Sequence, residues 1–410
     1  MTLRNDANII IKEAIKQVLP DEAVANALKG KDFGNGKVYV VSTGKAGWQM
    51  AKAASDILGD KIEKGVAVTK YDHVKGEIPH ITCFEAGHPV PDENSFKGTQ
   101  AAIDLVDDLN EEDTVLFLLS GGGSALFEKP LIPGEELQDI TNQLLACGAD
   151  IVEMNTIRKR LSAVKGGRFA EICAPAHVFS IVLSDILGDP LDMIASGPAY
   201  PDSSSNADAK AIVKKYGLKL STQATALLDI ETPKQLTNVE TMITGSVRNL
   251  CAAAGEVAKS LGYEPIFLTD QLTCQAKEAG SFLASIAKSY QNTDHSVAFL
   301  AGGETVVQLT GHGKGGRNQE LALAGAEGIA GLKETAIFSL GSDGTDGPTD
   351  AAGGYCDQDT KKVLKDQGID IFEVLKDNDA YNALKKCNGL IMTGATGTNV
   401  NDVAVLLIKR

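Results

Sequence analysis

The sequence predicts an α/β protein of two domains, and three observations carry that prediction. The chain has 410 residues, and at about 100–200 residues per domain this length suggests two or three compact units. Short β-rich runs alternate with helical stretches, a pattern that buries a parallel sheet between helices. The alternation stops at the polar, proline-containing tract DIETPKQLTNVET (229–241) and then restarts. The expected division is therefore 1–235 and 236–410, two α/β units with an active-site cleft between them.

The elements follow in order. Apolar residues at helical spacing (Ile9, Ile10, Ile15, Val18, then Ala23, Val24, Leu28) predict two opening helices, with Asp21 after Pro20 at the start of the second. Strands are expected at 38–42, 65–69, 115–120 and 178–184, with helices near 47–57 and 95–109. Beyond the break, helices are expected near 247–261, 275–290, 318–328, 360–366 and 378–387. Strands are expected there at 265–269, 296–301, 305–309 (TVVQL), 336–340 and 389–394.

Composition narrows the function classes. Hydrophobic residues make up 43% and charged residues 23%, which excludes wholesale disorder. A net charge of −15 argues against nucleic acid or an anionic membrane as partner, so any anionic ligand must be caught by local cations. The seven cysteines are widely spaced, without a CxxC pair or a Cys/His cluster, which predicts free thiols, no zinc site and a cytoplasmic location. The N-terminus lacks an apolar signal-peptide core, and no uncharged apolar run approaches membrane-spanning length. Glycine, at 42 residues, is about one residue in ten against a usual ~7%, which directs attention to loops.

Several loops have the residues for anion chemistry. Ser120, Gly121, Gly122, Gly123 and Ser124 follow a strand, where glycines let backbone N–H groups approach a phosphate; a tight turn without ligand is the other reading. Lys45 lies just past the 38–42 strand, at the end where open α/β sheets bind ligands, although lysines at strand ends are commonly solvated. The segment RKRLSAVKGGR (158–168) carries Arg158, Lys159 and Lys165 among five cations and no acid, fit either for an anion or for a solvated helix face. Residues 311–316 satisfy the dinucleotide fingerprint G-x-G-x-x-G; with Lys314 and Arg317 beside it, the loop reads better as an anion clamp that includes Gly315 and Gly316. Two acidic loops, 183–192 with Asp189 and 341–350 with Asp343 and Asp346, suit magnesium, a proton acceptor, or simple turn chemistry. Of six histidines, His88 and His312 stand in such company, as residues that orient a loop.

Taken in order, the blocks STGKAG (42–47), GHPVPDENS (87–95), LSGGGSALFEKP (119–130), RKRLSAVKGG (158–167), LSDILGDPLDMIASGP (183–198), GGETVVQLTGHGKGGRNQELAL (302–323), DGTDGPTDAAGG (343–354) and TGATGTNVND (393–402) resemble the type-2 glycerate kinase family, whose C-terminal part is known as the MOFRL domain. The resemblance spans nearly the whole chain. It implies a Rossmann-like three-layer α/β/α N-terminal domain, a smaller mixed α/β C-terminal domain, and Mg2+-ATP-dependent phosphorylation of D-glycerate, most members acting at the 2-position. It assigns the active-site lysine and arginine to Lys45 and Arg317. Arg160 and Ala395 depart from residues frequent in relatives, and neither lies among the residues assigned here.

On this reading the 120–124 loop cradles ATP phosphates, while Lys45 and Arg317 neutralise the transferring group or hold the glycerate carboxylate. Asp189 is the first choice to accept the hydroxyl proton and Asp343 the second. Arg158, Lys159, Lys165, Gly315, Gly316, Asp343 and Asp346 would contact substrate or phosphate, and the protein ligands of the metal are unassigned. The partners are D-glycerate and ATP, with a homodimer left open. The rivals are phosphorylation at the 3-position, an NAD(P)H-dependent hydroxypyruvate reductase that uses the 311–316 glycines, and a ligand sensor without turnover.

Overall fold

The computed structural model describes residues 2–410. It contains two α/β units, each built on a six-stranded sheet. The strands are β1 Val38–Thr43, β2 Ile62–Lys70, β3 Ile81–Ala86, β4 Thr114–Leu119, β5 His177–Leu183, β6 Val239–Gly245, β7 Glu264–Leu272, β8 Val297–Gly303, β9 Thr335–Gly341, β10 Gly353–Asp357, β11 Leu390–Ile391 and β12 Asp402–Ile408.

One unit comprises residues 23–184 and 189–244. Its sheet has the order β3-β2-β1-β4-β5-β6, that of the Rossmann fold, and β1 to β5 run parallel. Alternate residues serve alternate faces. Val38, Val40, Leu116, Leu118, Phe179 and Ile181 pack with the helices Pro20–Leu28 and Gly47–Leu58. On the other face Phe117 meets Phe127 and Phe169, with ring centroids 5.0–5.7 Å apart. Because β1 has β2 on one side and β4 on the other, the loops after β1 and β4 lie side by side at the switch point where such sheets bind ligands.

The other unit comprises the chain up to Glu22, residues 185–188 and residues 245–410. Its sheet runs β11-β10-β9-β12-β8-β7; β7 and β8 are parallel and every other neighbouring pair is antiparallel. The division differs from 1–235 and 236–410 at both ends. The opening helix Leu3–Gln17 buries Leu3, Ala7, Ile10, Ile11, Ala14 and Ile15 with Leu250, Phe338 and Val405 of the second sheet's core. Its Asp6 is fixed there by hydrogen bonds from Tyr263 Oη (2.7 Å) and Lys409 Nζ (2.7 Å). At the other end, residues 239–244 supply the sixth strand of the first sheet.

Two further expectations fail locally. Residues 305–309 form no strand: only Val306 makes a bridge, to Gln275, because the chain leaves the sheet at Gly303. Strand β12 was not expected, yet it lies between β8 and β9 in the middle of the second sheet and all seven residues are buried. The other strands missed are β3, β6 and β10.

In the second unit the helices Ala276–Tyr290 and Arg317–Ile329 approach backbone to backbone at a glycine. A Cβ on Gly280 would lie 2.1 Å from the Leu321 carbonyl oxygen and 2.9 Å from the Gly325 nitrogen. Gly280→Ala therefore forces the helix pair apart and should cost about 1–3 kcal/mol. Denaturant unfolding checks this, and an unchanged midpoint would contradict the backbone contact.

Candidate functional site

The loops after β1 and β4 are joined by a small set of hydrogen bonds. Lys45 N–H donates to Gly121 O (2.8 Å), Ala46 N–H to Ser120 Oγ (3.1 Å) and Ser120 N–H to Thr43 O (3.0 Å). Only glycine fits at position 44, where a Cβ would stand 2.2 Å from Ser120 Oγ and φ is +115°. Ser120 thus acts as a brace between loops, and its hydroxyl is occupied. Gly121, Gly122, Gly123 and Ser124 differ: among the described residues no acceptor meets their amide N–H groups. Lys45 is exposed beside them, without an ion pair among the described residues, and a Cβ on Gly122 would lie 3.1 Å from its Cγ.

The cationic segment 158–168 lies behind this loop. Arg158 Nη2 (3.0 Å) and Lys165 Nζ (2.8 Å) both donate to the Ser124 carbonyl oxygen, and Lys165 also donates to Phe127 O (3.0 Å). Buried Glu128 is their counter-charge, 3.4 Å from Lys165 and 4.0 Å from Arg158. Burial lowers the Lys165 pKa to about 8, with Glu128 acting in the opposite direction. Lys159 is buried against Asp202 (3.0 Å) and Asp192 (3.4 Å), and Arg160 lies fully buried 3.5 Å from the same Asp202. The segment is therefore neither a solvated face nor an open anion patch: Arg158, Lys159, Arg160 and Lys165 meet carboxylates inside the unit, and Arg168 donates to the carbonyls of Lys159, Arg160 and Ser162.

Asp189 belongs to this unit and follows Gly188, both with left-handed backbone (φ +50° and +80°). Its Oδ1 is buried with no hydrogen-bond partner. Nearby in sequence, Ala195, Ser196 and Gly197 are all left-handed as well. Ser196 Oγ lies 3.1 Å from Ser124 Oγ and donates to Asn155 Oδ1 (2.9 Å), while a Cβ on Gly123 would stand 2.6 Å from that of Ala195. Two unusual backbone conformations for non-glycine residues are thus maintained against the glycine loop.

The second glycine loop is built in the opposite way. The N–H groups of Thr310 and Gly311 donate to Asn378 Oδ1 (2.8 and 3.0 Å) and that of His312 to Asp377 Oδ1 (3.0 Å). Those of Gly313 and Lys314 donate to Asp377 O (2.8 Å) and Asp379 Oδ1 (2.9 Å). Cβ atoms on Gly311 and Gly313 would fall 2.3 and 2.4 Å from atoms of Asp377 and Asp379. The glycines at 311 and 313 let the loop lie against an acidic turn, and no strand runs directly into it; the amides of residues 310–314 are taken, whereas those of Gly315 and Gly316 meet no acceptor among the described residues. The dinucleotide fingerprint has no structural counterpart here.

Just beyond, Arg317 opens its helix with a two-pronged contact to Asp402, Nε to Oδ2 at 2.5 Å and Nη2 to Oδ1 at 3.0 Å, and Nη1 reaches Glu304 at 3.1 Å. Burial alone would lower the Arg317 pKa, but Asp402, helped by Glu304 and Asp346, holds it above the ordinary value. Asp346 caps the same helix, accepting from Asn318 N–H (3.1 Å) and Gln319 N–H (2.9 Å). Gly316 makes room for it, since a Cβ there would stand 2.3 Å from Asp346 Cγ, and Gly315 packs on Asn378 and Ala380. Asp343 closes an Asx turn onto Thr345 N–H (3.0 Å). Gly315, Gly316, Arg317 and Asp346 border a cavity of about 800 Å³ with Glu304, Glu320 and Asn378.

Each unit thus assembles part of the expected set: Lys45, the 120–124 loop, Arg158, Lys159, Lys165 and Asp189 in one, Gly315, Gly316, Arg317, Asp343 and Asp346 in the other. The sequence reading missed Glu128, Asn155, Ser196, Glu304 and Asp402, which hold the others in place. Glu128, Ser196, Glu304 and Asp402 lie within the quoted blocks, but nothing local gives their roles, because those are set by partners elsewhere in the chain. The described residues contain no group of three or more His, Cys, Asp or Glu poised for a metal, no disulfide, and no helix long and apolar enough to cross a membrane.

The fold and the loops define a two-unit α/β protein with a glycine loop of open amides at the switch point of a Rossmann-like sheet. Residues 6–229 match a family described as a domain of unknown function, DUF4147, and residues 297–402 match the MOFRL family. The chain is 52% identical to the D-glycerate 2-kinase of Thermotoga maritima over 99% of both chains, and 41% identical to the glycerate 2-kinase of Pyrococcus horikoshii over 100% of this chain and 98% of that one. A crystal structure of the Thermotoga maritima glycerate kinase superposes with a TM-score of 0.95, covering 99% of each chain. The chain belongs to the DUF4147–MOFRL glycerate kinase family.

The Asp346 cap has a pH signature. Burial raises its pKa to about 6, against the pull of the Asn318 and Gln319 amides, from an ordinary value of 3.8. The folded state then holds the proton more tightly than the unfolded chain. The stability so contributed is full below pH 4 and is lost as pH rises through 6. Asp346→Asn removes this ionisation, so the stability of the natural protein relative to the variant should fall between pH 4 and 7. Denaturant melts at four pH values measure it, and a constant difference would refute the assignment.

Proposed function

We propose that this chain is a glycerate 2-kinase, transferring the γ-phosphoryl group of ATP to the 2-hydroxyl of D-glycerate to give 2-phosphoglycerate and ADP. The observation that carries the reading is the full-length identity of 52% to a D-glycerate 2-kinase, joined to a loop whose geometry suits phosphate. Phosphoryl transfer is catalysed chiefly by positioning and by charge placed in advance, and amides, cations and an acid are sufficient for it.

In this reading the amides of Gly121, Gly122, Gly123 and Ser124 receive nucleotide phosphate oxygens, and their unpaired state supports the role. Arg158 and Lys165 hold that loop by its Ser124 carbonyl. Lys45 supplies a cation free to meet the transferring group. Arg317, held rigid by Asp402, presents its remaining donor capacity to phosphate or to the glycerate carboxylate. Lys45 belongs to one unit and Arg317 to the other. The buried, unpartnered Oδ1 of Asp189 supports its role as acceptor of the hydroxyl proton.

Magnesium would lower the negative charge on the nucleotide. The described residues offer it no cage of three ligands, which suits an ion carried mainly by the phosphates themselves. The paired amides of the 310–314 loop favour the kinase over the reductase reading. Free thiols at all seven cysteines support a reducing, cytoplasmic compartment.

Purified protein with Mg-ATP and D-glycerate should release ADP and give a signal through enolase without added mutase. ADP without that signal would show transfer to the 3-position, and no glycerate-dependent ADP would overturn the kinase reading. Lys45→Ala should lower turnover about a hundredfold or more with little change in unfolding, since the exposed side chain makes no hydrogen bond or ion pair among the described residues. Arg317→Ala should match it in turnover. Near-normal turnover in either folded variant would remove that residue from the mechanism.

A further inference from the structure

His88 lies on the segment after β3, within the same unit as the 120–124 loop. Its ring faces Gly122: a Cβ built on that glycine would lie 3.1 Å from both Nε2 and Cδ2 of His88, and equally 3.1 Å from Cγ of Lys45. Histidine and lysine therefore flank one glycine whose N–H is open, and the absent Cβ is what lets both approach. Lys70, at the end of β2, is the third cationic group acting on the ring. Among the described residues none of the three side chains has an ion pair, and neither ring nitrogen of His88 has a hydrogen-bond partner. The two acids nearest in sequence are engaged elsewhere: Glu85 accepts from the amides of His73 and Val74 (both 2.9 Å), and Asp92, beside Gly87, from Tyr71 Oη (2.7 Å) and the amides of Asn94 and Ser95 (3.1 and 3.0 Å).

Burial of the His88 ring, with Lys45 and Lys70 acting on it and no carboxylate bonded to it, disfavours a cationic imidazole in the protein alone. The arrangement becomes favourable when an anion enters. Burial first, then Lys45 and Lys70, hold the imidazole below its ordinary pKa, so it is mainly neutral before an anion arrives. A phosphate reverses the sign of the local charge and favours the protonated, doubly donating ring.

We propose that His88 is a further anion-binding residue, donating a ring N–H to a phosphoryl oxygen of the nucleotide carried on the Gly121–Ser124 amides. The proposal rests on the kinase reading for the identity of that anion. Nucleotide binding then takes up a proton at His88, and affinity for ATP rises as pH falls through the titration of the ring.

The test uses the full chain labelled with 13C at histidine Cε1, the His88 resonance being assigned by its loss in His88→Gln. Its titration is followed without ligand, with β,γ-imido-ATP and magnesium, and with D-glycerate alone. The expected result is a midpoint that moves upward with the nucleotide analogue and not with glycerate. No movement with the analogue, or an equal movement with glycerate, overturns the proposal. In parallel, KM for ATP in His88→Gln should be about tenfold higher than in the natural protein at pH 6 and converge with it at pH 9, with KM for glycerate unchanged. If that variant does not fold, His88→Asn supplies both the assignment and the kinetics. A KM ratio independent of pH overturns the proposal, whereas absent turnover in the natural protein overturns the kinase reading and leaves the resonance titration to decide on His88.

Discussion

The candidate site depends on one close approach, that of the loop after β1 to the loop after β4. Parallel strands in the order β3-β2-β1-β4-β5-β6 bring these two loops together, since the chain crosses to the opposite side of β1 after β3. Residue 44 then has no room for a side chain, and Ser120 can bond to both Thr43 and Ala46. Everything beyond that brace follows from it. Lys45 is directed past Gly122, and Gly121 turns its carbonyl back to Lys45 N–H, leaving the next amides outward.

Two glycine-rich loops of similar appearance are used for opposite purposes, and the accounting of backbone donors separates them. Buried or ligand-facing N–H groups must find an acceptor somewhere. Around residues 310–314 they find it in Asp377, Asn378 and Asp379, so this part of the loop is closed structure, while the amides of Gly315 and Gly316 just beyond meet no acceptor among the described residues. Around residues 121–124 they find none among the described residues, although buried Lys165, half-buried Arg158 and buried Glu128 are committed to holding the loop by its Ser124 carbonyl. Fixing a segment at such electrostatic expense while leaving its donors open is what a preorganised anion site requires.

Much of this was legible in the sequence, for physical reasons that also explain the failures. Four strands of the first sheet, β1, β2, β4 and β5, contain short apolar runs, and the resemblance rests on loop blocks, so fold class and family could be read directly. The roles of Arg158, Lys159 and Lys165 could not. A run of cations looks the same whether it faces solvent or ion-pairs internally, and their partners Glu128 and Asp202 are about 30–40 residues away. The opening helix was assigned to the wrong unit because its apolar stripe specifies that it packs, not where; the residues it meets are near 250, 338 and 405. TVVQL has the composition of a strand, yet it follows a sheet-exiting glycine, and its bonding possibilities are set by Gln275 rather than by its own pattern.

Arg317 illustrates how the missed strand bears on function. β12 brings Asp402 to the end of the second sheet, where both carboxylate oxygens engage the guanidinium while burial raises the acid's own pKa. An arginine so paired is no longer a freely available charge, and its value lies in fixed geometry. Lys45 is the complement: exposed, unpaired and able to follow a moving group. The two units thus present cations of different kinds, one fixed in geometry by its carboxylate and one free in its orientation.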